Sequence, residues 1–143
     1  KKIINTLLKF ERELIINNVV FLFESDYPPK RLLKFISDFD SEFYGINYDL
    51  GNSASLKYDI NEEFKFFGKY IKNVHLKDRL INGNSVRFGK GNANFNRLFR
   101  NLRKIRYNNA LIFQSSRATQ KGDDFKELKI NINFVNNLIS KTL

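Results

Sequence analysis

The chain has no cysteine, no methionine and no tryptophan, and only one histidine and two prolines in its 143 residues. Without cysteine there is no disulfide and no thiolate metal site. That fits a reducing compartment, and the cytoplasm is the expected setting. No methionine stands at position 1, so the chain is expected to begin inside a longer protein. No apolar run reaches the roughly 18 residues that a membrane span requires, and no signal peptide is visible. A membrane partner is therefore not expected.

What is present is an ordinary globular balance, 42% hydrophobic and 28% charged residues, enough for a single domain over 1–143 with its own core. The net charge of +10 has two readings: an anionic partner, or a Lys/Asn/Ile/Phe-rich composition that needs no ligand. The basic residues are spread along the chain, which favours the second. The fifteen Phe fall mostly on apolar helix faces and within strands. Core packing accounts for them better than a nucleic-acid stacking surface.

The hydrophobic pattern alternates between two periods. Residues 1–17 carry helical spacing through Ile3, Ile4, Leu7, Leu8, Leu14 and Ile15. Val19–Phe23 is a continuous apolar run, the signature of a strand buried on both faces. Pro28-Pro29 opens a helix to about Phe39. A strand spans Phe43–Tyr48, a loop follows, and Asn61 can cap a helix to about Ile71. A strand around Val74 precedes a long loop punctuated by Gly83, Gly89 and Gly91, with Ser85–Phe88 as a short extended piece. A helix from Asn94 to about Arg106, a strand over Ala110–Phe113 and a final helix from Asp124 to Leu143 complete the series. A helix followed by four strand–helix units predicts an α/β fold with a parallel sheet. Four such units are half of an eight-fold barrel, which takes about 250 residues when complete. An isolated half would leave two open edge strands, so the chain is expected to be half of a longer barrel, with pairing of two copies as the alternative.

In such folds the active site lies at the C-terminal ends of the strands. Each of the four strands ends in a polar residue there: Glu24, Asp49, His75 and Gln114. Oxygen-rich sites with one imidazole suit Mn²⁺, Mg²⁺, Co²⁺ or Zn²⁺. Each residue alone has a plainer reading. His75 could be a hydrogen-bonded structural residue, Asp49 before Gly51 could shape a turn, and Glu24 could belong to a solvated loop. Repetition at equivalent positions is what points to a metal.

Three stretches carry a family resemblance: Tyr48-Asp49-Leu50-Gly51-Asn52, Asn73-Val74-His75-Leu76-Lys77-Asp78-Arg79, and Phe88-Gly89-Lys90-Gly91 before Asn94-Phe95. Together they resemble the second half of the sugar phosphate isomerase/epimerase superfamily, the xylose-isomerase-like TIM barrels that also include the endonuclease IV type. The resemblance runs from about Val19 to the C-terminus. It implies parallel (β/α) units forming the C-terminal half of a TIM barrel. It also implies a divalent metal held by Glu24, Asp49, His75 and the position of Gln114. Many relatives have Glu at that fourth position. Glutamine can coordinate through its amide oxygen but cannot titrate, so acid/base work would fall to Glu24, to Lys77 or to residues outside this chain.

The implied activity is isomerisation or epimerisation of a sugar or sugar phosphate through an enediolate, with the metal polarising the substrate oxygens and Glu24 and Lys77 moving protons. Asn52, Arg79, Lys90 and Arg117 are the implied substrate- or phosphate-binding residues, with Arg87 a further cation nearby. Asp78 could line the mouth or orient the imidazole. The Gly89-Lys90-Gly91-Asn92 loop, opening a helix, is either an anion site built from backbone N–H groups or a flexible glycine loop. Two alternatives stand beside this reading. One is a metal-dependent phosphodiesterase acting on abasic DNA, which would call for more histidines. The other is a barrel that keeps the site without catalysis.

Overall fold

A computed structural model describes residues 2–40, 42–117 and 122–142. The outermost positions of the two terminal helices expected from the sequence, Lys1 and Leu143, lie outside the described residues. The first helix is broken in two, α1 (Lys2–Leu8) and α2 (Glu11–Asn17), by a turn at Lys9 and Phe10. Asn18 closes α2 in the left-handed conformation at φ 51°, a geometry that Asn tolerates better than most residues. There follow β1 (Phe21–Phe23), α3 (Pro29–Ile36), β2 (Tyr44–Asp49), α4 (Leu50–Ser55) and α5 (Ile60–Phe67). Next come β3 (Ile71–Leu76), a small hairpin of β4 (Asp78–Arg79) with β5 (Ser85–Val86), α6 (Phe95–Lys104), β6 (Leu111–Phe113) and α7 (Asp124–Thr142). The cap of α5 is Asp59, whose carboxylate accepts from Asn61 N and Glu62 N. Asn61 itself lies inside the helix.

The main sheet has the order β1-β2-β3-β6, parallel throughout. Because side chains alternate along a strand, Tyr44, Ile46 and Tyr48 share one face of β2, and Val74 and Leu76 share one face of β3. They join Leu32 and Ile36 of α3, Phe64 and Phe67 of α5, Leu98 and Leu102 of α6 and Val135 of α7 in a single buried core. Each such side chain contributes about 1.5–3 kcal/mol by leaving water. The phenylalanines behave as core: Phe23 packs edge-on against Phe35, and Phe88 is tilted against Phe95 and stacked on Phe113. The face turned away from this core carries Asn47, Asn73, His75 and Ile112, half-buried or exposed.

The run Val19–Phe23 departs from its expected double-sided burial. Val19, Val20 and Phe21 are 48%, 42% and 40% exposed; among the described residues no strand pairs with the outer side of β1. At the other edge, Ile112 of β6 is 45% exposed.

Candidate metal centre

The register between β2 and β3 contains one irregularity, and the site depends on it. Ile46 is level with Ile71, but Asn47 is level with Asn73. Lys72 is the extra residue, a β-bulge. Beyond it Tyr48 pairs with Val74 and Asp49 with His75. Without the bulge, Val74 would stand opposite Asp49 and the imidazole would lie one residue too far along.

Glu24 follows β1, Asp49 ends β2 and His75 is the fifth residue of β3. One potential ligand atom from each lies within 4.8 Å of the others. His75 Nδ1 is 3.4 Å from Glu24 Oε2. Two carboxylates and one imidazole converging this closely form a hard-to-borderline donor set that fits a divalent cation of the Mn²⁺, Mg²⁺, Co²⁺ or Zn²⁺ kind. Asp49 also starts α4: its Oδ1 accepts from Asn52 N at 2.8 Å. The plain turn reading of Asp49 and the ligand reading are therefore compatible, since one oxygen caps and the other faces Lys77.

Lys77 Nζ lies 3.3 Å from Asp49 Oδ2 and 3.5 Å from Asn52 Oδ1. Arg79 is held by two donations to Gly83 O and gives a third, at 2.8 Å, to Asn52 Oδ1. Asn52 in turn donates to Glu24 Oε1 at 3.4 Å. Glu24, Asp49, Asn52, His75, Lys77 and Arg79 thus form one connected group. None of these hydrogen bonds joins the remaining expected residues to this group. Gln114 is exposed, one step past the Leu76–Phe113 pair, and donates its backbone N–H to Leu76 O. The residue of β6 level with His75 is Ile112, so the four strand ends are staggered rather than in one layer. Arg117 is exposed three residues further on. Arg87 pairs with Glu127 of α7. Lys90 is exposed on the glycine loop.

Asp78 does not orient the imidazole. It is fully buried and accepts from Gly89 N, Gly91 N and Ala93 N at 2.8, 2.9 and 3.0 Å. The backbone donors that made the loop resemble an anion site are bound to this internal carboxylate.

Two polar residues at the site escaped the sequence reading. Asn47 Nδ2 donates to Glu24 Oε2 at 2.7 Å and lies 3.3 and 3.1 Å from Nδ1 and Nε2 of His75. Asn73 Nδ2 donates to Asn47 Oδ1 at 2.8 Å. Period-two alternation back from Asp49 and His75 could have found both. Behind α4, Glu63 accepts from Tyr48 Oη at 2.7 Å and Ser53 Oγ at 2.5 Å. Burial pushes its carboxyl up to about 7, against the lowering effect of those two donors.

A profile described as xylose isomerase-like TIM barrel matches residues 17–136. The chain belongs to that family. The chain is 27% identical over 118 residues to the uncharacterized protein MJ1311 of Methanocaldococcus jannaschii, covering 79% of this chain and 40% of that one. A xylose isomerase domain protein from Planctomyces limnophilus superposes with a TM-score of 0.72 at 22% identity, over 87% of this chain and 48% of that one. The 3-keto-D-glucoside 4-epimerase YcjR of E. coli gives 0.72 at 15% identity, over 94% and 52%. These likenesses establish the fold: the four parallel strands are part of a TIM barrel, and the chain spans about half the length of the relatives it matches. No helix among the described residues is long and apolar enough to cross a membrane.

Proposed function

We propose that the chain is the C-terminal half of a (β/α)₈ barrel that isomerises or epimerises a sugar or sugar phosphate with a divalent metal, in the cytoplasm. The observation that carries this reading is the convergence of Glu24, Asp49 and His75 at the C-terminal ends of adjacent parallel strands, where barrels of this kind place their chemistry. Gln114 is the fourth ligand position, acting through its amide oxygen. A bound divalent ion would supply Lewis acidity to the substrate's carbonyl and hydroxyl oxygens.

The chain's own residues supply the rest. Glu24, the most exposed of the three acidic or imidazole groups, removes a proton from the carbon beside the carbonyl and leaves an enediolate. Lys77, 3.3 Å from Asp49, returns a proton to the neighbouring carbon or to the opposite face. Asn52 and Arg79, locked together at 2.8 Å, bind substrate hydroxyl or phosphate oxygens beside the ligands. Arg79 is the arginine joined to the ligands through Asn52, whereas Arg87 is paired with Glu127. The stagger that sets Gln114 past His75, and its inability to titrate, favour Glu24 and Lys77 as the proton carriers.

The test is titration of the purified protein with Mn²⁺ by calorimetry, followed by solvent-deuterium exchange into ketose and ketose-phosphate substrates. Binding that is lost in Glu24→Ala and His75→Ala is the expected outcome. A protein that binds no divalent metal, and whose two variants behave as wild type, ends the reading.

A further inference from the structure

We propose that Asn47, locked by Asn73, is the positioning residue that holds Glu24 and His75 in their ligating arrangement. The inference rests on the metal-site reading above and assigns what lies beneath it. Asn47 occupies the same face of β2 as Asp49, two residues earlier, and Asn73 stands opposite it as His75 stands opposite Asp49. The two asparagines therefore form the layer of side chains below the ligands.

The chemistry of the amide gives this layer a direction. An asparagine side chain has one acceptor end and one donor end. Asn73 Nδ2 donates to Asn47 Oδ1 at 2.8 Å, which fixes the acceptor end away from the site. The donor end is thereby committed to Glu24 Oε2 at 2.7 Å, and its nitrogen sits against the imidazole face, 3.1 and 3.3 Å from Nε2 and Nδ1. An amide that binds the carboxylate and packs against the imidazole face sets the positions of Glu24 and His75 relative to one another. Partners of this kind behind metal ligands govern how well the ligands are oriented.

The bulge at Lys72 ties the layer to the fold. The same extra residue that brings His75 level with Asp49 brings Asn73 level with Asn47. An unbulged ladder would set Lys72 opposite Asn47, putting a cation in place of the amide relay. One backbone irregularity thus assembles both the ligands and their support.

The experiment compares Mn²⁺ affinity by calorimetry in wild type, Asn47→Ala, Asn73→Ala and the double variant. Asn47→Ala is expected to weaken binding roughly 10- to 100-fold. Asn73→Ala is expected to weaken it less, and to add nothing in the Asn47→Ala background, because Asn73 acts through Asn47. A second readout needs no metal. His75 is the only histidine, so the ¹⁵N imidazole spectrum reports it alone, and both single variants should shift that spectrum while thermal unfolding stays cooperative. Unchanged affinity and an unchanged spectrum in Asn47→Ala overturn the proposal. Tighter Mn²⁺ binding in that variant also overturns it, because the amide would then obstruct the site. If Asn47→Ala fails to fold, Asn73→Ala decides alone by the same criteria. If the wild type binds no Mn²⁺, the metal reading falls, and the ¹⁵N spectrum still decides whether Asn47 orients the ring.

Discussion

Gly91 is packed so closely against Asp78 that a β-carbon on it would fall 2.2 Å from Asp78 Oδ1 and 2.7 Å from Arg79 O. The glycine is required by contact, since the backbone must approach the carboxylate to deliver its N–H at 2.9 Å. Gly91→Ala should therefore destabilise the chain by about 1–3 kcal/mol, the usual cost of overpacking. Asp78→Ala should cost more, about 3 kcal/mol or above, because three buried backbone donors lose a charged acceptor. Urea unfolding of both variants checks this. A Gly91→Ala protein as stable as wild type would refute the close packing.

Metal loading should stabilise the folded chain. A ligand present at a hundred times its dissociation constant adds about 2.7 kcal/mol when it binds only the native state. Mn²⁺ should raise the unfolding midpoint, and excess chelator should return it to the starting value. Asp49→Ala, Glu24→Ala and His75→Ala should each abolish the metal-dependent rise. A rise of equal size in all three variants would place the ion elsewhere.

Lys77 and Gly51 are coupled. A β-carbon on Gly51 would lie 2.7–3.0 Å from Cγ, Cβ and Cδ of Lys77, so Gly51→Ala should push the lysine off Asp49. With Lys77 as a proton carrier, Lys77→Met should lower kcat of the assembled enzyme by roughly 10²–10⁴ and leave folding intact. Gly51→Ala should reproduce part of that loss. Steady-state kinetics together with a circular-dichroism melt separate the two effects. Full activity in Lys77→Met would remove the lysine from the chemistry.

Glu63 makes stability depend on pH in a defined window. Folded, it keeps its proton up to about pH 7, against an ordinary value of 4.5. Its folded value is raised, so the stability linked to the protonated form is complete below about pH 4.5 and is lost as pH rises through about 7. The shift corresponds to about 3 kcal/mol. Glu63→Gln keeps a neutral group against Tyr48 and Ser53. It should flatten the decline and be the more stable protein near pH 8. Parallel urea titrations between about pH 5 and about pH 8 test this. Equal slopes for the two proteins would mean that Glu63 does not titrate in that window.

Much of the architecture was legible because it is written in local patterns. The switch between helical and strand periods located β2, β3, α3, α6 and α7 and implied a parallel sheet. The polar residues at strand ends located Glu24, Asp49 and His75, because a strand buried by helices turns polar only where it emerges. Local pattern was weaker where burial depends on neighbours. Val19–Phe23 reads as a doubly buried strand, yet in this half-length chain no described strand pairs with its outer side, and nothing in five residues states what lies beside them. The turn that splits α1 from α2 and the short helix α4 were likewise invisible to apolar spacing.

The sequence by itself determined the alternation of strands and helices, the apolar core and the chemical kinds of group presented at the strand ends. Those follow from side-chain periodicity and composition, which each segment carries within itself. The tertiary structure alone decided which groups meet. The bulge at Lys72 sets His75 level with Asp49 and Asn73 level with Asn47, the stagger of β6 sets Ile112 rather than Gln114 level with His75, and Asp78 turns inward to bind the glycine loop. The reason is that register, bulges and buried polar contacts are properties of pairs of distant segments. A one-residue slip changes every partner while leaving the pattern of each segment unchanged.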